Sequence, residues 1–281
     1  MSTAFNKIES KLLDDVFIHK MATDTGYEYL ELKAYIHTSL EEAKHTISFI
    51  KKYSLKDKRL LEFGSGLGFA SMILYIQGYN ITSFEPGGLG FEKNILVNQQ
   101  IKQYFDLEFI LINDIDKISP NSFDFIFSNN VLEHIDNLEE TIFKLDSYLK
   151  SGGIMLHNVP NYIIPYEPHF GIPFFPIYPK KMSFLIPKKI TNTSLWKSLN
   201  FINVLDIKMY AKKANAIVRF ERQLIYHTII RMENDKNFAQ RHKGISKILN
   251  IIKSLGLLKV FKILPVSLNT PMLFEWKKYV N

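Results

Sequence analysis

The chain has 281 residues, of which 46% are hydrophobic and 22% charged, so it can bury a substantial core and is not expected to be disordered. It contains no cysteine, which excludes disulfides, thiolate metal sites and a cysteine nucleophile and fits a reducing, cytoplasmic compartment. The net charge of +7 is uneven, because the residues from Ile207 to Asn281 carry a balance of +11. This basic segment suits an anionic substrate, a lipid surface or nucleic acid, and a solvated lysine-rich surface explains it equally well. The sequence shows neither a secretory leader nor a run of about 18 apolar residues, so no membrane span is expected.

The first half of the chain predicts helices followed by an alternation of strands and helices. Residues 1–56 are predicted to be helical, because apolar residues recur there at helical spacing. Short apolar runs typical of buried strands follow, separated by helical patterns. The predicted strands are 59–63, 79–86, 107–114, 123–130 and 154–160, and the predicted helices are 67–78, 90–104 and 138–150. This alternation predicts a doubly wound, mostly parallel sheet with helices on both faces.

The amino-acid composition of the sequence changes after Pro160. Residues 161–190 are dense in prolines and aromatics, which break ladders and helices, so this segment is predicted to be an ordered loop or lid. Residues 201–210 and 271–279 are predicted to be the last two strands. The basic residues 211–268 between them are predicted to be a helical insertion.

A glycine-rich loop, Gly64-Ser65-Gly66-Leu67-Gly68, follows the first predicted strand. Glycines allow the backbone to turn tightly and to approach a ligand, and ligands of parallel sheets bind beyond the carboxyl ends of the strands. A phosphate-binding P-loop would continue with a lysine, and a dinucleotide loop would have glycine at the position of Phe69. Glu85 ends the second predicted strand, where a carboxylate can accept hydrogen bonds from a ribose.

The glycine loop belongs to a larger pattern, E-x-G-x-G-x-G starting at Glu62, with "FDFIFSNNVLEHIDN" and "LKSGGIMLHNVPN" further along. Together these segments resemble the small-molecule branch of the class I S-adenosylmethionine-dependent methyltransferases. A nucleotide-sugar or NAD-dependent Rossmann enzyme is the alternative. The resemblance implies a Rossmann-like, seven-stranded, mostly parallel sheet with an antiparallel final strand. It divides the chain into a helical cap (1–56) and a methyltransferase domain (57–281) with insertions at 161–190 and 211–268.

The resemblance also implies roles for residues at the cofactor. The glycine loop would pass under the methionine part, Glu85 would hold the ribose and Asp114 would reach the adenine amine. Tyr35 and His37, which precede the sheet, are secondary candidates for covering the methionine end. The full expected set that binds S-adenosyl-L-methionine is Glu62, Gly64, Ser65, Gly66, Gly68, Glu85, Pro86, Asp114, Ile115, Asn129 and Asn130.

The expected reaction moves a methyl group to a small molecule or a glycan precursor, at oxygen. His134 and His169 are the candidate general bases, since a hydroxyl acceptor must lose a proton. Tyr166, Glu167, His169 and Phe170 are the candidate substrate contacts. A scaffold or membrane-associated protein that keeps the cofactor fold is one alternative function, and a nucleic-acid or protein methyltransferase is another. Nucleic acid is not the expected substrate, because "SNNVLEH" stands where amino-methylating enzymes have an N-P-P-Y or D-P-P-Y motif.

Two further expectations concern metals and partners. No metal ion is expected, because no carboxylate cluster completes an oxygen-rich site. The segment 245–265 contains an amphipathic helical pattern, which predicts packing on the protein itself, a homodimer contact or weak contact with a membrane surface.

Overall fold

The computed structural model describes residues 3–88, 91–174, 180–222 and 264–279, together with the single residues 224, 226, 229, 230 and 254. The chain divides into two compact units. The first unit comprises Met1–Val131, Ile142–Leu156 and Lys277–Asn281. The second unit comprises Leu132–Thr141 and His157–Trp276.

The amino-terminal part of the first unit is helical, as the sequence predicted. One face of the third helix buries Leu32, Ile36 and Leu40, whose spacing matches the period of an α-helix. Asp14 begins the second helix by accepting a hydrogen bond from the backbone N–H of Phe17. The helices are α1 (Thr3–Leu12), α2 (Asp15–Thr25) and α3 (Tyr29–Ile50).

Strands and helices alternate after α3, and each of the five predicted strands is present. In chain order, the strands and helices are β1 (Arg59–Phe63), α4 (Phe69–Ile76), β2 (Asn80–Phe84), α5 (Glu92–Tyr104), β3 (Ile110–Ile112), β4 (Phe123–Asn129), α6 (Leu138–Tyr148) and β5 (Leu149–Val159). The strands are apolar along their length: Leu60, Leu61, Phe125 and Ile126 are fully buried. Such strands belong to a sheet whose two faces are both covered.

The seven-stranded sheet has the order β3-β2-β1-β4-β5-β9-β8, in which β8 (Ile217–Phe220) and β9 (Met272–Lys277) are the last strands in the chain. β1 pairs in parallel with β2 on one side and with β4 on the other. One antiparallel strand completes the sheet at its β9–β8 edge. The predicted Rossmann-like α/β class is therefore confirmed. The strand order reverses between β1 and β4, which is the switch point where ligands of such sheets bind.

Two strands differ from their predicted bounds. β3 is limited to Ile110–Ile112, because this edge strand has only β2 as a neighbour and Ile110 is exposed. Asp114 consequently lies beyond the strand. β5 begins at Leu149 rather than at residue 154, and Gly153 on it accepts a hydrogen bond from the backbone N–H of Lys278.

The predicted lid is ordered where it is described, and it contains secondary structure. A two-residue antiparallel pairing joins β6 (Tyr166–Glu167) to β7 (Ile172–Pro173). A 3-10 helix (Lys181–Leu185), α7 (Lys188–Thr191) and α8 (Ser194–Ser198) follow. The second unit has an aromatic core in which neighbouring ring centroids lie 5.1 to 5.8 Å apart, formed by Tyr162, Phe174, Trp196 and Phe201.

The predicted strand at 201–210 is wrong, because this segment forms helix α9 (Val204–Lys213). Asn203 and Asp206 make a reciprocal capping box that satisfies the first backbone N–H groups of the helix. The strand that precedes the insertion is instead β8, at Ile217–Phe220, inside the segment predicted to be helical. The predicted last strand is confirmed as β9.

The predicted amphipathic segment 245–265 lies outside the described residues, apart from Ser254, Leu264 and Pro265, and so do Phe175 and Tyr178 of the lid. Within the described part of the chain, none of the helices combines the length and the apolar character needed to cross a membrane.

Candidate functional site

The glycine loop (residues 64–68) follows β1 in the first unit, and its shape depends on glycine. Gly64 has a φ of +74°, and a Cβ atom there would lie 2.5 Å from a methyl carbon of Val131. Gly68 has a φ of +80°, and its Cβ would lie 2.5 Å from the side-chain amide of Asn98. Both the backbone conformation and the close packing therefore exclude a side chain at these positions.

Glu85, directly after β2, is bound to the glycine loop. Its Oε2 accepts a hydrogen bond of 2.7 Å from the backbone N–H of Gly66, and its Oε1 accepts one of 3.1 Å from Gly87. The side chain is buried, and burial raises the pKa of the carboxyl group although these two hydrogen bonds oppose the shift. The structure thus brings together the loop and the carboxylate that the sequence assigned to one cofactor.

Glu62 acts inside the protein rather than at the surface of the loop. Its Oε2 accepts hydrogen bonds from both the backbone N–H and the hydroxyl of Ser71, in the first turn of α4. Burial raises the pKa of Glu62 to about 8, the nearby charge of Glu85 adds to the shift, and the Ser71 hydrogen bonds oppose it. Glu62 therefore joins the end of β1 directly to the start of α4, and the glycine loop lies between these two points.

The remaining predicted cofactor residues follow the ends of the next strands. Asp114 is exposed, and its carboxylate accepts a hydrogen bond from the backbone N–H of Asp116. Ile115 is half-buried and its carbonyl accepts a hydrogen bond from the hydroxyl of Tyr148. The other members of the set are the buried Ser65, the exposed Pro86, and the half-buried Asn129 and Asn130 that end or follow β4.

A polar network beside the glycine loop was only partly anticipated from the sequence. Asn98 donates to the hydroxyl of Ser65, and Asn94 donates to the hydroxyl of Tyr35. Tyr27 donates in turn to the amide oxygen of Asn94. The Tyr35 hydroxyl is 3.4 Å from the point where a Cβ of Gly66 would be, so this secondary candidate does lie at the loop. Asn94 and Asn98 are buried on α5. In the sequence, they are distinguished only as polar residues within a predicted helix.

The second unit contains a separate group of titratable side chains, which we call the histidine cluster: Glu133, His134, Glu167 and His169. The turn between β6 and β7 presents His169. Its Nδ1 lies 2.6 Å from Oε1 of Glu167, which also accepts a hydrogen bond from the hydroxyl of Tyr162. The other oxygen of Glu167 accepts a hydrogen bond from the backbone N–H of Phe170.

Glu167 is fully buried and nevertheless stays ionised. Burial alone would raise its pKa, but the hydrogen bond from His169, the charge of that ring and two backbone N–H groups outweigh burial and hold the pKa below its ordinary value. A carboxylate that accepts the Nδ1–H of a histidine fixes both the orientation and the tautomer of the ring. His169 is thus held with its Nε2 pointing away from Glu167.

His134 is held by a neighbouring hydroxyl. Its Nδ1 lies 2.9 Å from the hydroxyl oxygen of Ser198, and the same hydroxyl donates its hydrogen to the carbonyl of Leu195. A hydroxyl has only one hydrogen to donate, so when Ser198 donates to Leu195 the Nδ1 of His134 supplies the hydrogen in the first contact. Burial lowers the pKa of His134 to about 4, and the charge of His169 adds to the shift although Glu167 opposes it. The ring is therefore neutral, with its lone pair on Nε2.

Three members of the histidine cluster converge. One potential ligand atom from each of Glu133, His134 and His169 lies within 4.8 Å of the other two, and the two imidazole centroids are 5.3 Å apart. Asn200 fixes the turn that carries Glu133 and His134, because its side-chain amide donates to the carbonyls of Leu132 and Ile135. Sequence reasoning missed both Ser198 and Asn200, because no local pattern relates them to a turn so distant in the chain.

The remaining predicted substrate contacts, Tyr166 and Phe170, are half-buried neighbours of the histidine cluster in the chain. The ring of Phe170 lies 6.2 Å from that of Trp196, at the margin of the aromatic core. Phe174 belongs to that core and is buried.

Comparisons with known proteins agree with the fold. Residues 35–204 match the family model described as "Methyltransferase domain", and this match covers more than half of the chain, so the protein belongs to the methyltransferase-domain family. An uncharacterized protein of Mycobacterium tuberculosis, present in two strains, is 36% identical over 200 residues. These residues are 65% of this chain and 65% of the mycobacterial protein, so the match spans slightly less than two thirds of that relative.

Solved structures show the same fold at low sequence identity. An S-adenosylmethionine-dependent methyltransferase from Mesorhizobium loti superposes with a TM-score of 0.50 at 14% identity, over 79% of this chain and 91% of that one. A protein from Pyrococcus horikoshii has a TM-score of 0.50 at 15% identity, over 65% of this chain and 84% of that one. At this level of identity, the similarity describes the fold.

Proposed function

We propose that this protein is an S-adenosylmethionine-dependent methyltransferase whose cofactor binds at the glycine loop. The cofactor would supply an electrophilic methyl group. The residues present fit it: a tight backbone loop follows β1, the carboxylate of Glu85 lies against that loop, and Asp114 is exposed after β3. Membership in the methyltransferase-domain family supports the same cofactor.

We further propose that the acceptor atom is a hydroxyl oxygen of a small molecule or a glycan precursor, bound at the histidine cluster. The observation that carries this proposal is the contact of the His134 Nδ1 with the Ser198 hydroxyl, which itself donates to Leu195; this arrangement leaves a neutral imidazole with a lone pair on Nε2. A lone pair accepts the hydrogen of a hydroxyl, whereas it repels a carboxylate or phosphate oxygen. The buried carboxylate of Glu167 also disfavours an anionic acceptor atom.

The histidine cluster would position and activate this hydroxyl. An imidazole Nε2 of the cluster would accept the hydrogen of the acceptor hydroxyl and so make its oxygen more nucleophilic, and the bound cofactor would supply the methyl group. Positioning of this kind supplies a large part of the rate in a displacement reaction, and a general base adds roughly 10²–10⁴-fold. The absence of cysteine supports a cytoplasmic site of action, and the predicted homodimer or membrane contact through 245–265 stays a prediction.

The test is a transfer assay in which S-adenosylhomocysteine production is measured with hydroxyl, amine and carboxylate acceptors, including nucleotide-activated sugars. We expect turnover with a hydroxyl acceptor. His134→Ala should then lower kcat by about 10²-fold or more, if the imidazole is the base. Binding of S-adenosylhomocysteine should be unchanged in the same variant.

His19→Ala is the matched control, because its side chain is exposed and it does not belong to the histidine cluster. Turnover confined to amine or carboxylate acceptors would contradict the hydroxyl assignment. Failure of the protein to bind S-adenosylmethionine and S-adenosylhomocysteine would contradict the methyltransferase proposal itself.

A further inference from the structure

We propose that Glu133, His134 and His169 form a binding site for one divalent first-row transition-metal ion, for which Zn²⁺ is the representative. The sequence alone predicted no metal site, because no carboxylate cluster completed an oxygen-rich site. The fold brings His169, from the β6–β7 turn, to Glu133 and His134.

The donor set selects the kind of ion. Two imidazoles and one carboxylate are a recurrent ligand set of catalytic zinc sites and of non-haem iron sites, in which further coordination positions stay open. Mg²⁺ and Ca²⁺ prefer oxygen ligands throughout, so a site with two nitrogen donors disfavours them. A transition-metal ion therefore fits these three residues better than a hard cation does.

The surroundings of the two histidines are an independent observation that points to the same ligand. In metal sites, the ring nitrogen that does not bind the ion usually donates its hydrogen to a carboxylate, a carbonyl or another oxygen. Here the Nδ1 of His169 meets the buried carboxylate of Glu167, and the Nδ1 of His134 meets the hydroxyl of Ser198. Both rings therefore use Nδ1 for orientation, and Nε2 is the atom that would bind the ion.

The geometry requires only a small contraction. Ligand atoms around a tetrahedral ion with bonds of about 2.0–2.2 Å are separated by roughly 3.3–3.6 Å. One ligand atom of each residue lies within 4.8 Å of the other two, so no pair of these atoms would need to close by more than about 1.5 Å. A shift of the β6–β7 pair, which carries both His169 and Glu167, can supply this movement while the contact between these two side chains is kept.

The exposed side of His169 also gives the ion an open position. Glu133 is fully buried and His134 nearly so, while His169 borders solvent, so a water molecule or a substrate oxygen can approach from that side. If the acceptor of the proposed methyl transfer binds here, its hydroxyl meets the ion instead of an imidazole nitrogen, and the positive charge lowers the pKa of that hydroxyl. This functional role rests on the proposed function, whereas binding of the ion does not.

Calorimetric titration of the chelator-treated full-length protein with Zn²⁺ tests the site directly. We expect one ion per chain for the wild type, and binding at least ten-fold weaker for His169→Ala and for Glu133→Gln. Glu167→Gln should weaken binding by about 10–100-fold, because it removes the carboxylate that orients His169. X-ray absorption at the zinc edge should show imidazole nitrogens at about 2.0–2.1 Å.

His19→Ala is the matched control, because His19 is an exposed histidine of the first unit, stacked on Tyr29 at 3.6 Å. It should bind Zn²⁺ as the wild type does. If Glu133→Gln fails to fold, His169→Ala decides the matter, since its side chain is on a surface turn. Absence of stoichiometric binding by the wild type, or equal binding by wild type, His169→Ala and His19→Ala, would overturn the proposal.

Titration of the same samples with S-adenosylhomocysteine separates the two proposals. If the wild type binds S-adenosylhomocysteine but not Zn²⁺, the metal site is rejected and the methyltransferase proposal stands. The reverse result would retain the metal site and reject the cofactor assignment.

Discussion

Two buried carboxylates, one in each unit, show how differently the two regions are built. Glu62 in the first unit is satisfied by two hydrogen bonds from Ser71, and burial raises its pKa to about 8. Glu167 in the second unit accepts hydrogen bonds from His169, Tyr162 and the backbone of Phe170, and its pKa is below the ordinary value. The first carboxylate is therefore protonated at neutral pH and joins two secondary structure elements, whereas the second is ionised and orients a histidine.

The two regions also differ in how far apart their interacting residues lie in the sequence. Glu62, the glycine loop and Ser71 lie close together in the chain, so a local pattern specifies the connection between β1 and α4. The histidine cluster is assembled from residues after β4, from the β6–β7 turn and from α8. A region of the first kind is sensitive to local backbone changes, and a region of the second kind is sensitive to the loss of single long-range contacts.

The largest expected effect is that of Gly64→Ala. The substitution combines an unfavourable left-handed conformation with a contact of 2.5 Å to Val131, so we expect the unfolding free energy to fall by about 2–5 kcal/mol. Gly26→Ala is the matched control, because Gly26 has nearly the same φ, +72°, and no atom within 4 Å of its Cβ position. It should cost only about 1 kcal/mol in denaturant unfolding. Equal losses in both variants would show that Val131 does not constrain the loop.

The next effect is a pH dependence caused by Glu62. A carboxyl group whose pKa is raised on folding contributes full stability below its unfolded pKa, and that contribution is lost as the pH rises through the folded value of about 8. The stability of the wild type relative to Glu62→Gln should therefore fall by about 2–3 kcal/mol between pH 6 and pH 8.5. Denaturant unfolding at both pH values measures this difference. A constant difference would mean that Glu62 is already ionised at pH 6.

A smaller loss is expected for Asn200→Ala in the second unit. The substitution removes side-chain hydrogen bonds to Leu132, Ile135 and Ile202, and should lower the unfolding free energy by about 2 kcal/mol. Asn192→Ala is the control at a more accessible asparagine and should have little effect. If the two variants unfold alike, Asn200 does not hold the turn that carries the histidine cluster.

The smallest expected effect is that of Asn203→Ala, which removes the cap of α9. Loss of such a cap costs about 1 kcal/mol. Leu205→Ala serves as the comparison, because the side chain of Leu205 is 61% exposed and its helix propensity is close to that of alanine. A stability loss in Leu205→Ala larger than that in Asn203→Ala would contradict the arrangement of α9.

The sequence was sufficient for the α/β class and for the first five strands of the sheet. It failed at residues 201–210, where Leu205, Ile207 and Met209 alternate with Asp206 and Lys208 as in a strand. The helix forms because Asn203 caps it and because Val204, Ile207 and Ala211 are buried on one side, which leaves Leu205 and Met209 exposed.

The histidine cluster could also be predicted only in part, and the reason is a different one. His134, Glu167 and His169 were individually visible as candidates, but the sequence carries no periodicity that relates Glu133 to His169 or Ser198 to His134. Their contacts follow from the tertiary packing of the second unit, which no local sequence pattern specifies.

The assignment of the first unit as the cofactor site is tested most directly by calorimetric titration with S-adenosylhomocysteine. The wild type and Glu108→Ala, which alters an exposed carboxylate, should bind alike. Glu85→Ala should bind about 10–100-fold more weakly, because a hydrogen bond to a charged group contributes about 1.5–3 kcal/mol. Equal affinity of Glu85→Ala and the wild type, or no binding by either, would contradict the account.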